Sequence, residues 1–442
     1  MKSSIMLKES IELSMISVQN PLLRLNGNRF FPLSIVVSIF LFLGACTPKT
    51  SVLKSPDVSG GNVGGTLPKE EQPEIEDSEE SVDDIRKIEA AKNSVALILP
   101  FQLDKLVPST LSKEDVNRSA IALDFYQGFQ IGLDELAQKG RSFSLHVMDS
   151  RDNASHNQSI AQSEAVAHAA LIVGPVFPKE IIAFGTHHPN KNVLQVNPLA
   201  ATKALEFNLP NLVSLTPSIN VHTKAMAERV ARDYKTGDVV IIYNTADNDG
   251  RQFLDGFLSE LKTANPTVQV RSVSSIPQLN EQLTLTGTNL VVAGTTDKFQ
   301  LRAFMSNLES KSVEEFYMFR VYGHPLWDRI DFSIYNHFSD FQPVITTESH
   351  LKSWAKGVKE FKDKYYTLYG VQPSDHSYKG YDAARYFGNL LAKYGDNYRD
   401  YITKEKFEGL FSTYAFDYNQ GWGFVNQAVS FKSYQGASFQ LN

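Results

Sequence analysis

The stretch VHTKAMAERVARDYKTGDVVIIYN, Val221–Asn244, holds the architecture in miniature. Its first half sets Met226, Ala227, Val230, Ala231 and Tyr234 at helical spacing, and Gly237 supplies a stop. Its second half, DVVIIY, is apolar on both faces, which suits a parallel strand covered from two sides. Upstream lies a complete set of such units, so Val221 begins a second cycle. The first set opens with SVALILPF, Ser94–Phe101, closed by Pro100. A helix follows with Ala122, Phe125, Tyr126, Phe129, Leu133 and Leu136 on one face and Gly140 as its stop. Then come the strand FSLHVMDS (143–150), the helix SIAQSEAVAHA (159–169), the strand ALIVGPVFP (170–178), the strand and loop NVLQVNPLAATK (192–203) and the extended piece NLVSLTPS (211–218).

Downstream of Asn244 the alternation continues. GRQFLDGFLSELKTA (250–264) reads as one helix, VQVRSVS (268–274) and NLVVAGTTD (289–297) as strands, KFQLRAFMSNLES (298–310) as a helix and FYMFRVYG (316–323) as a strand. Two further helices are predicted. One carries Leu351, Trp354, Val358, Phe361, Tyr365 and Leu368, and the other Tyr381, Ala384, Phe387, Leu391 and Tyr394. The tail from Phe407, with turns at NQGWG and YQGA, reads as hairpins. Two successive strand sets imply two sheets and two lobes. The fold class is therefore α/β, with two Rossmann-like lobes, parallel sheets and crossover hinge segments. Ligands of such sheets sit at the carboxyl ends of the strands, here in a cleft between the lobes.

The N-terminal part differs in kind. FFPLSIVVSIFLFL, Phe30–Leu43, follows Arg24 and Arg29 and is shorter than the about 20 residues of a membrane-spanning helix. It fits a signal-peptide core. It ends in LGAC, Leu43–Cys46, which resembles the bacterial lipobox, so Cys46 is expected to be acylated and to become the mature N-terminus. The segment 68–92 holds ten acidic and four basic residues, equal to the whole chain's net charge of −6. Its composition, with the glycines before it, opposes a packed core and reads as a tether with a reach of about 40 Å. The expected organisation is a signal peptide at 1–45, a lipidated cysteine and flexible acidic linker at 46–92, and a two-lobed domain at 93–442. Lobe one takes about 93–215 plus 345–405, and lobe two about 216–340 plus part of 406–442.

Composition excludes several chemistries. Cys46 is the single cysteine, so disulfides within the chain and multi-cysteine metal sites are ruled out. The charge balance gives nucleic acid no footing. TADNDG, Thr245–Gly250, resembles a calcium loop faintly, but Gly256 stands where the bidentate glutamate belongs. His187-His188 reads as an exposed turn. No phosphate-binding loop and no nucleophile elbow is present. No metal, cofactor or catalytic residue is expected.

The ordered set of segments resembles the type-1 periplasmic-binding fold of amino-acid and amide ABC transporter solute receptors, in a divergent Bacteroidetes-type branch. VALILPF is similar to its opening strand, DFYQGFQIGLDEL to its first helix, and LIVGPVFP with VNPLAATKALEFNLPNLVSLTPS to its third and fourth strands and first crossover. VVIIYNTADNDGRQFLDGF resembles the start of its second lobe. GVQPSDHSYKGYDAARYF, Gly370–Phe387, is the sharpest piece. The resemblance covers about 94–442.

The resemblance implies that Ala201-Thr202 holds a ligand carboxylate. At the other carboxylate element the chain has Phe177-Pro178, which brings no hydroxyl, and Pro178 brings no N–H. Phe101, closing the first strand, joins the candidate set. Facing candidates are Asn244, Asp247 and Asp249 after VVIIYN and Thr295, Thr296 and Asp297 after NLVVAG, an acid there pairing with a ligand ammonium. Asp249-Gly250 equally suits a turn that caps the next helix. Trp327 and Tyr322 are candidates for lining the cleft, and Tyr322 suits core packing as well. Two functions follow. One is a lipid-anchored solute receptor, periplasm-facing on the outer membrane, that closes on a small polar ligand and serves an ABC permease. The other is an envelope scaffold or regulator working with the cell-wall synthesis machinery.

Overall fold

The computed structural model describes residues 51–53, 89, 91–335 and 337–442. The signal segment Phe30–Leu43, Cys46 and most of the acidic linker lie outside the described residues.

Lobe one is built on β2 (Ser94–Leu99), β3 (Phe143–Asp149), β4 (Leu171–Val173), β5 (Leu194–Asn197) and β6 (Leu212–Ser214), parallel in the spatial order β3-β2-β4-β5-β6. Lobe two repeats that order with β7 (Val239–Tyr243), β8 (Val270–Val273), β9 (Thr288–Ala293), β10 (Met318–Gly323) and β11 (Val344–Thr347), as β8-β7-β9-β10-β11. Alternate residues of the leading strands feed different cores. Val95, Leu97 and Leu99 pack on one face of lobe one, and Ala96 and Ile98 on the other. Val239, Ile241 and Tyr243 are likewise separated from Val240 and Ile242. This two-sided burial is why the runs are apolar without alternation.

The helices of lobe one are α1 (Lys113–Ala137), α2 (Ala154–Ala161), α3 (Glu164–Ala167) and α4 (Pro178–His187). Those of lobe two are α5 (Ile219–Asp233), α6 (Asn248–Leu254), α7 (Phe257–Ala264), α8 (Ile276–Glu281) and α9 (Lys298–Val313). The late pair, α10 (Lys356–Tyr369) and α11 (Asp375–Tyr394), returns to lobe one, where α11 lies along α1. The tail supplies β12 (Phe407–Glu408) with β13 (Thr413–Tyr414), β14 (Phe416–Asn419) with β15 (Gly423–Asn426), and β16 (Ser430–Gln435) with β17 (Ser438–Leu441). Of these, β15 joins β6 in lobe one, whereas β16 joins β11 in lobe two.

The chain therefore crosses between the sheets after β6, after β11 and after β15. Asn426, 1% exposed, ties two crossings together: its Nδ2 donates to the Leu215 and Thr413 carbonyls at 2.9 Å, and its Oδ1 accepts from Ala415 and Ala428 at 3.0 Å.

Several expectations are corrected. The helix expected over 250–264 breaks into α6 and α7 at Asp255-Gly256, where Gly256 takes φ +77°. The helix expected over 159–169 starts at Ala154 and breaks at Gln162-Ser163, because Asn153 caps it five residues early. Leu351 and Trp354 precede α10 rather than riding on it. His188 is buried at the end of α4, stacked on Phe184 at 5.5 Å, not in an exposed turn. Within the expected linker, β1 (Ser51–Leu53) pairs antiparallel with β3, whose outer edge would otherwise present unpaired backbone groups.

Candidate functional site

In each lobe the sheet order reverses between the first strand and the third, so the crevice opens at the carboxyl ends of β2 and β4 and of β7 and β9. On lobe one, the loop after β2 turns through Gln102 at φ +54°. The Gln102 and Leu103 N–H groups donate to the two Asp149 carboxylate oxygens at 2.9 and 2.8 Å, and Arg151 N–H donates to Asp149 Oδ1 at 2.9 Å. Glu180, in the first turn of α4, is 1% exposed. Its Oε1 accepts from Asn153 N–H and Asn157 Nδ2, both at 3.0 Å, and its Oε2 from Phe177 N–H at 3.3 Å. Burial pushes the Glu180 carboxyl pKa up, and the hydrogen bonds it accepts pull the other way.

Phe177 immediately precedes α4, in the loop after β4, and is 38% exposed. Phe101 is half-buried and meets Tyr126 edge-on at 6.2 Å. After β5, the Asn197 side chain bonds both backbone groups of Ala200 at 2.8 and 2.9 Å, which fixes the turn into Ala201-Thr202. Ala201 is exposed and Thr202 half-buried.

On lobe two, the helix after β7 is capped by Asp247, whose Oδ1 accepts from Gly250 N–H at 2.8 Å. The Asp249-Gly250 capping role therefore falls to Asp247. Asp249 instead accepts from the Thr296 hydroxyl at 3.1 Å, which joins the β7 and β9 loops. Asp297 caps α9 by accepting from Phe299 and Gln300 N–H at 3.1 and 2.9 Å. Asn244 is exposed at the end of β7.

Trp327 is not a cleft residue. It is fully buried, donates from Nε1 to the Thr295 carbonyl at 2.8 Å, and packs over Gly323, where a Cβ would lie 2.0 Å from the indole. It supports the β9 loop from below. Tyr322 is also core, its hydroxyl donating to Asp233 at 2.9 Å.

The lobes meet through Lys203, next to Thr202, whose Nζ lies 3.2 Å from Asp255 Oδ2 at the break between α6 and α7. Asp255 also lines a cavity of about 380 Å³ with Asn244, Thr245, Arg251, Gln252 and Leu254. Asn244 lines this cavity of lobe two, Asp249 and Thr296 are joined across the β7 and β9 loops, and Lys203 alone carries the Ala201-Thr202 loop of lobe one to its rim. Lys203, Asp255, Arg251 and Glu180 escaped the sequence reading. Their only local signals are the Asp-Gly at 255–256 and a glutamate three residues after Phe177, a spacing that lets it reach back to the helix start. A larger cavity, about 940 Å³, is lined by α1, α10 with the residues before it, α11 and residues 407–410.

No protein-family model matches the chain, and no curated protein is similar enough to match. Solved structures do match. A branched-chain amino acid ABC transporter protein from Rhodospirillum rubrum aligns with 79% of this chain and 99% of its own at 16% identity and a TM-score of 0.57. An ABC-type branched-chain amino acid transporter from Rhodopseudomonas palustris covers 79% and 95% at 12% identity and 0.52. An ABC transporter substrate-binding protein from Desulfitobacterium hafniense covers 79% and 99% at 15% identity and 0.51. At such identities the likeness is one of fold, and it is the two-lobed type-1 periplasmic-binding fold.

Proposed function

We propose that this chain is an extracytoplasmic solute-binding protein, not an enzyme, that closes its lobes on a small polar ligand and delivers it to an ABC importer. The observation that carries the reading is the meeting of Lys203 with Asp255, which sets the Thr202 loop of lobe one beside the Asn244–Asp255 cavity of lobe two. The acids at the strand ends support binding over catalysis. Asp149, Glu180, Asp247 and Asp297 each accept backbone N–H bonds, and a carboxylate so engaged is a scaffold rather than a general base. In the same proposal Phe101, Phe177, Ala201, Thr202, Asn244, Asp249 and Thr296 line the crevice. Asp297 acts by placing the Thr296 loop.

Two of the structural neighbours are named for branched-chain amino acids, so amino acids, their amides and short peptides are the first probes. A ligand at a hundredfold excess over its dissociation constant adds about 2.7 kcal/mol to stability, which thermal unfolding reads directly. Thr202→Val should weaken the tightest probe by about 1–3 kcal/mol with little change in shape. A panel that shifts neither protein would defeat the reading. We further propose that Cys46 carries the lipid anchor at the envelope. Cys46→Ala should then abolish detergent-phase partitioning, and an intact chain that stays water-soluble would refute the anchor.

A further inference from the structure

The carboxyl ends of β2, β3 and β4 are where a ligand of lobe one would look for backbone donors, and the chain has already filled five of them. The donors come from separate segments. Gln102 and Leu103 follow β2, Arg151 and Asn153 follow β3, and Phe177 follows β4. All five N–H groups end on two carboxylates of the chain itself, Asp149 and Glu180. Three non-glycine residues in these loops hold left-handed backbone, Gln102 at +54°, Arg151 at +58° and Asp152 at +49°. Such geometry turns successive N–H groups toward one point and forms anion-binding concavities. Glu180 completes its cradle from inside, with Asn157 Nδ2 as a further donor, and the carboxylate is sealed from solvent.

We infer that Glu180, assisted by Asp149, is a specificity-determining residue: a built-in anion that takes the donors of this wall, so the ligand group placed there is a neutral or cationic donor such as an amide or amine. The inference rests on the binding reading above and narrows it. An incoming carboxylate would find these five N–H groups taken and would face the two carboxylates that hold them. Lys105, Arg151 and Lys179, the exposed cations of these segments, offset part of that charge, but none of their side chains bonds either carboxylate. An amide N–H or an ammonium instead meets the half-buried Asp149 carboxylate, with the sealed Glu180 behind it. The hydroxyl of Thr202 lies farther along the sheet edge, after β5.

The test empties the cradle. In the full chain, Glu180→Ala removes the internal carboxylate, which leaves Phe177 N–H unpaired and strips one acceptor from Asn153 N–H and Asn157 Nδ2, whose remaining bonds go to the Ser150 and Asn153 carbonyls. Sodium formate, titrated to 200 mM against matched sodium chloride, is the probe. Formate should raise the melting temperature of Glu180→Ala by several degrees beyond chloride and leave the parent chain at the chloride value. If Glu180→Ala folds only in formate, that also supports the assignment. Glu180→Gln keeps the cradle filled, so it should lose stability without responding to formate. Formate stabilising the parent chain as much as Glu180→Ala, or stabilising neither, overturns the inference.

A second arm compares leucine with leucinamide and benzoate with benzamide. Opening the cradle should raise the affinity of the acid relative to its amide at least tenfold, and an unchanged ratio also overturns the inference. If no probe binds either chain, the solute-binding reading falls, while the formate arm still decides the role of Glu180.

Discussion

His222 lies near the start of α5, buried, with Nδ1 2.9 Å from the Thr346 hydroxyl of β11. Burial lowers its pKa to about 4, against the opposing pull of Glu348. His324, at the end of β10, is lowered to about 4 by the same cause, although Asp249 and Asp247 pull it back. Between pH 4 and 6.5 both stay neutral in the folded chain and take a proton when it unfolds, so each makes stability fall as pH falls through that window. Asp382 does the reverse. Burial raises it to about 6, so the folded chain keeps a proton that the unfolded chain has lost, and its contribution falls as pH rises from about 4 to 6.

Across pH 4–6 these three groups leave the unfolded state one proton ahead. Replacing His222 with Gln should therefore lower the slope of unfolding free energy against pH by about 1.4 kcal/mol per pH unit, as denaturant titrations at stepped pH would record. An unchanged slope would place the proton elsewhere. Little of this was legible in the sequence. Thr202 could be singled out because the Ala201-Thr202 loop resembles a known carboxylate-binding element. His222 sits in a helical stretch whose apolar face gives no sign that the imidazole is buried with it. Lys203 and Asp255, 52 residues apart, meet only because two lobes face each other.

The packing of α1 on α11 turns on glycine rather than on large side chains. A Cβ at Gly128 would lie 1.8 Å from the Ser377 carbonyl oxygen, and one at Gly380 would lie 2.0 Å from that of Phe125. The two backbones therefore touch. The close approach lets Ser374 reach Asp124 at 2.6 Å and Tyr381 reach Glu135 at 2.7 Å. Gly128→Ala improves helix propensity by about 1 kcal/mol, yet it must push α11 away, and overpacking of this kind costs about 1–3 kcal/mol or more. We expect a net loss of stability for Gly128→Ala. Gly357→Ala, whose new Cβ would meet only the Leu410 side chain at 3.0 Å, should be neutral or slightly stabilising. Paired thermal melts check both.

Helix α11 also anchors the tail. The buried Asp382 carboxylate accepts N–H bonds from Leu410, Phe411 and Ser412 at 2.9, 2.9 and 2.7 Å. Asp382→Asn would turn one acceptor into a donor against those N–H groups and should cost about 1–3 kcal/mol in chemical denaturation. The apolar spacing of α1 and α11 was readable, and so were their hydrophobic faces. The glycine contact was not, because periodicity reports which face is buried and not how near the partner backbone comes. The same limit hid the break at Asp255-Gly256, where the apolar period runs through a left-handed residue.

At the scale of the molecule, the repeated strand order was legible because buried parallel strands have no polar face to disguise them, whereas the division of the tail was not. Its hairpins look alike in sequence, yet β14 and β15 complete the sheet of lobe one while β16 and β17 complete that of lobe two. The last pair covers an aromatic cluster. Phe332 stacks on Phe338 at 4.1 Å, and Tyr434 and Phe439 meet Phe338 edge-on at 4.7 and 6.2 Å. Trp327, which supports the crevice loop at Thr295, packs on the same Phe332 at 5.3 Å. Ending the chain at Val429 would remove Tyr434 and Phe439 from that cluster and bare the edge of β11, but it would leave Asn426 and all of the lobe-one sheet in place. Each lost aromatic is worth about 3–5 kcal/mol, a large fraction of the stability of a single lobe. Hydrogen exchange on the truncated chain should therefore show β7, β9 and β10 losing protection while β2, β4 and β5 keep theirs, with ligand response abolished because the Trp327–Thr295 support is gone. Equal loss of protection in both sheets would mean that the three crossings bind the lobes into one cooperative unit, and that the tail serves that unit rather than lobe two.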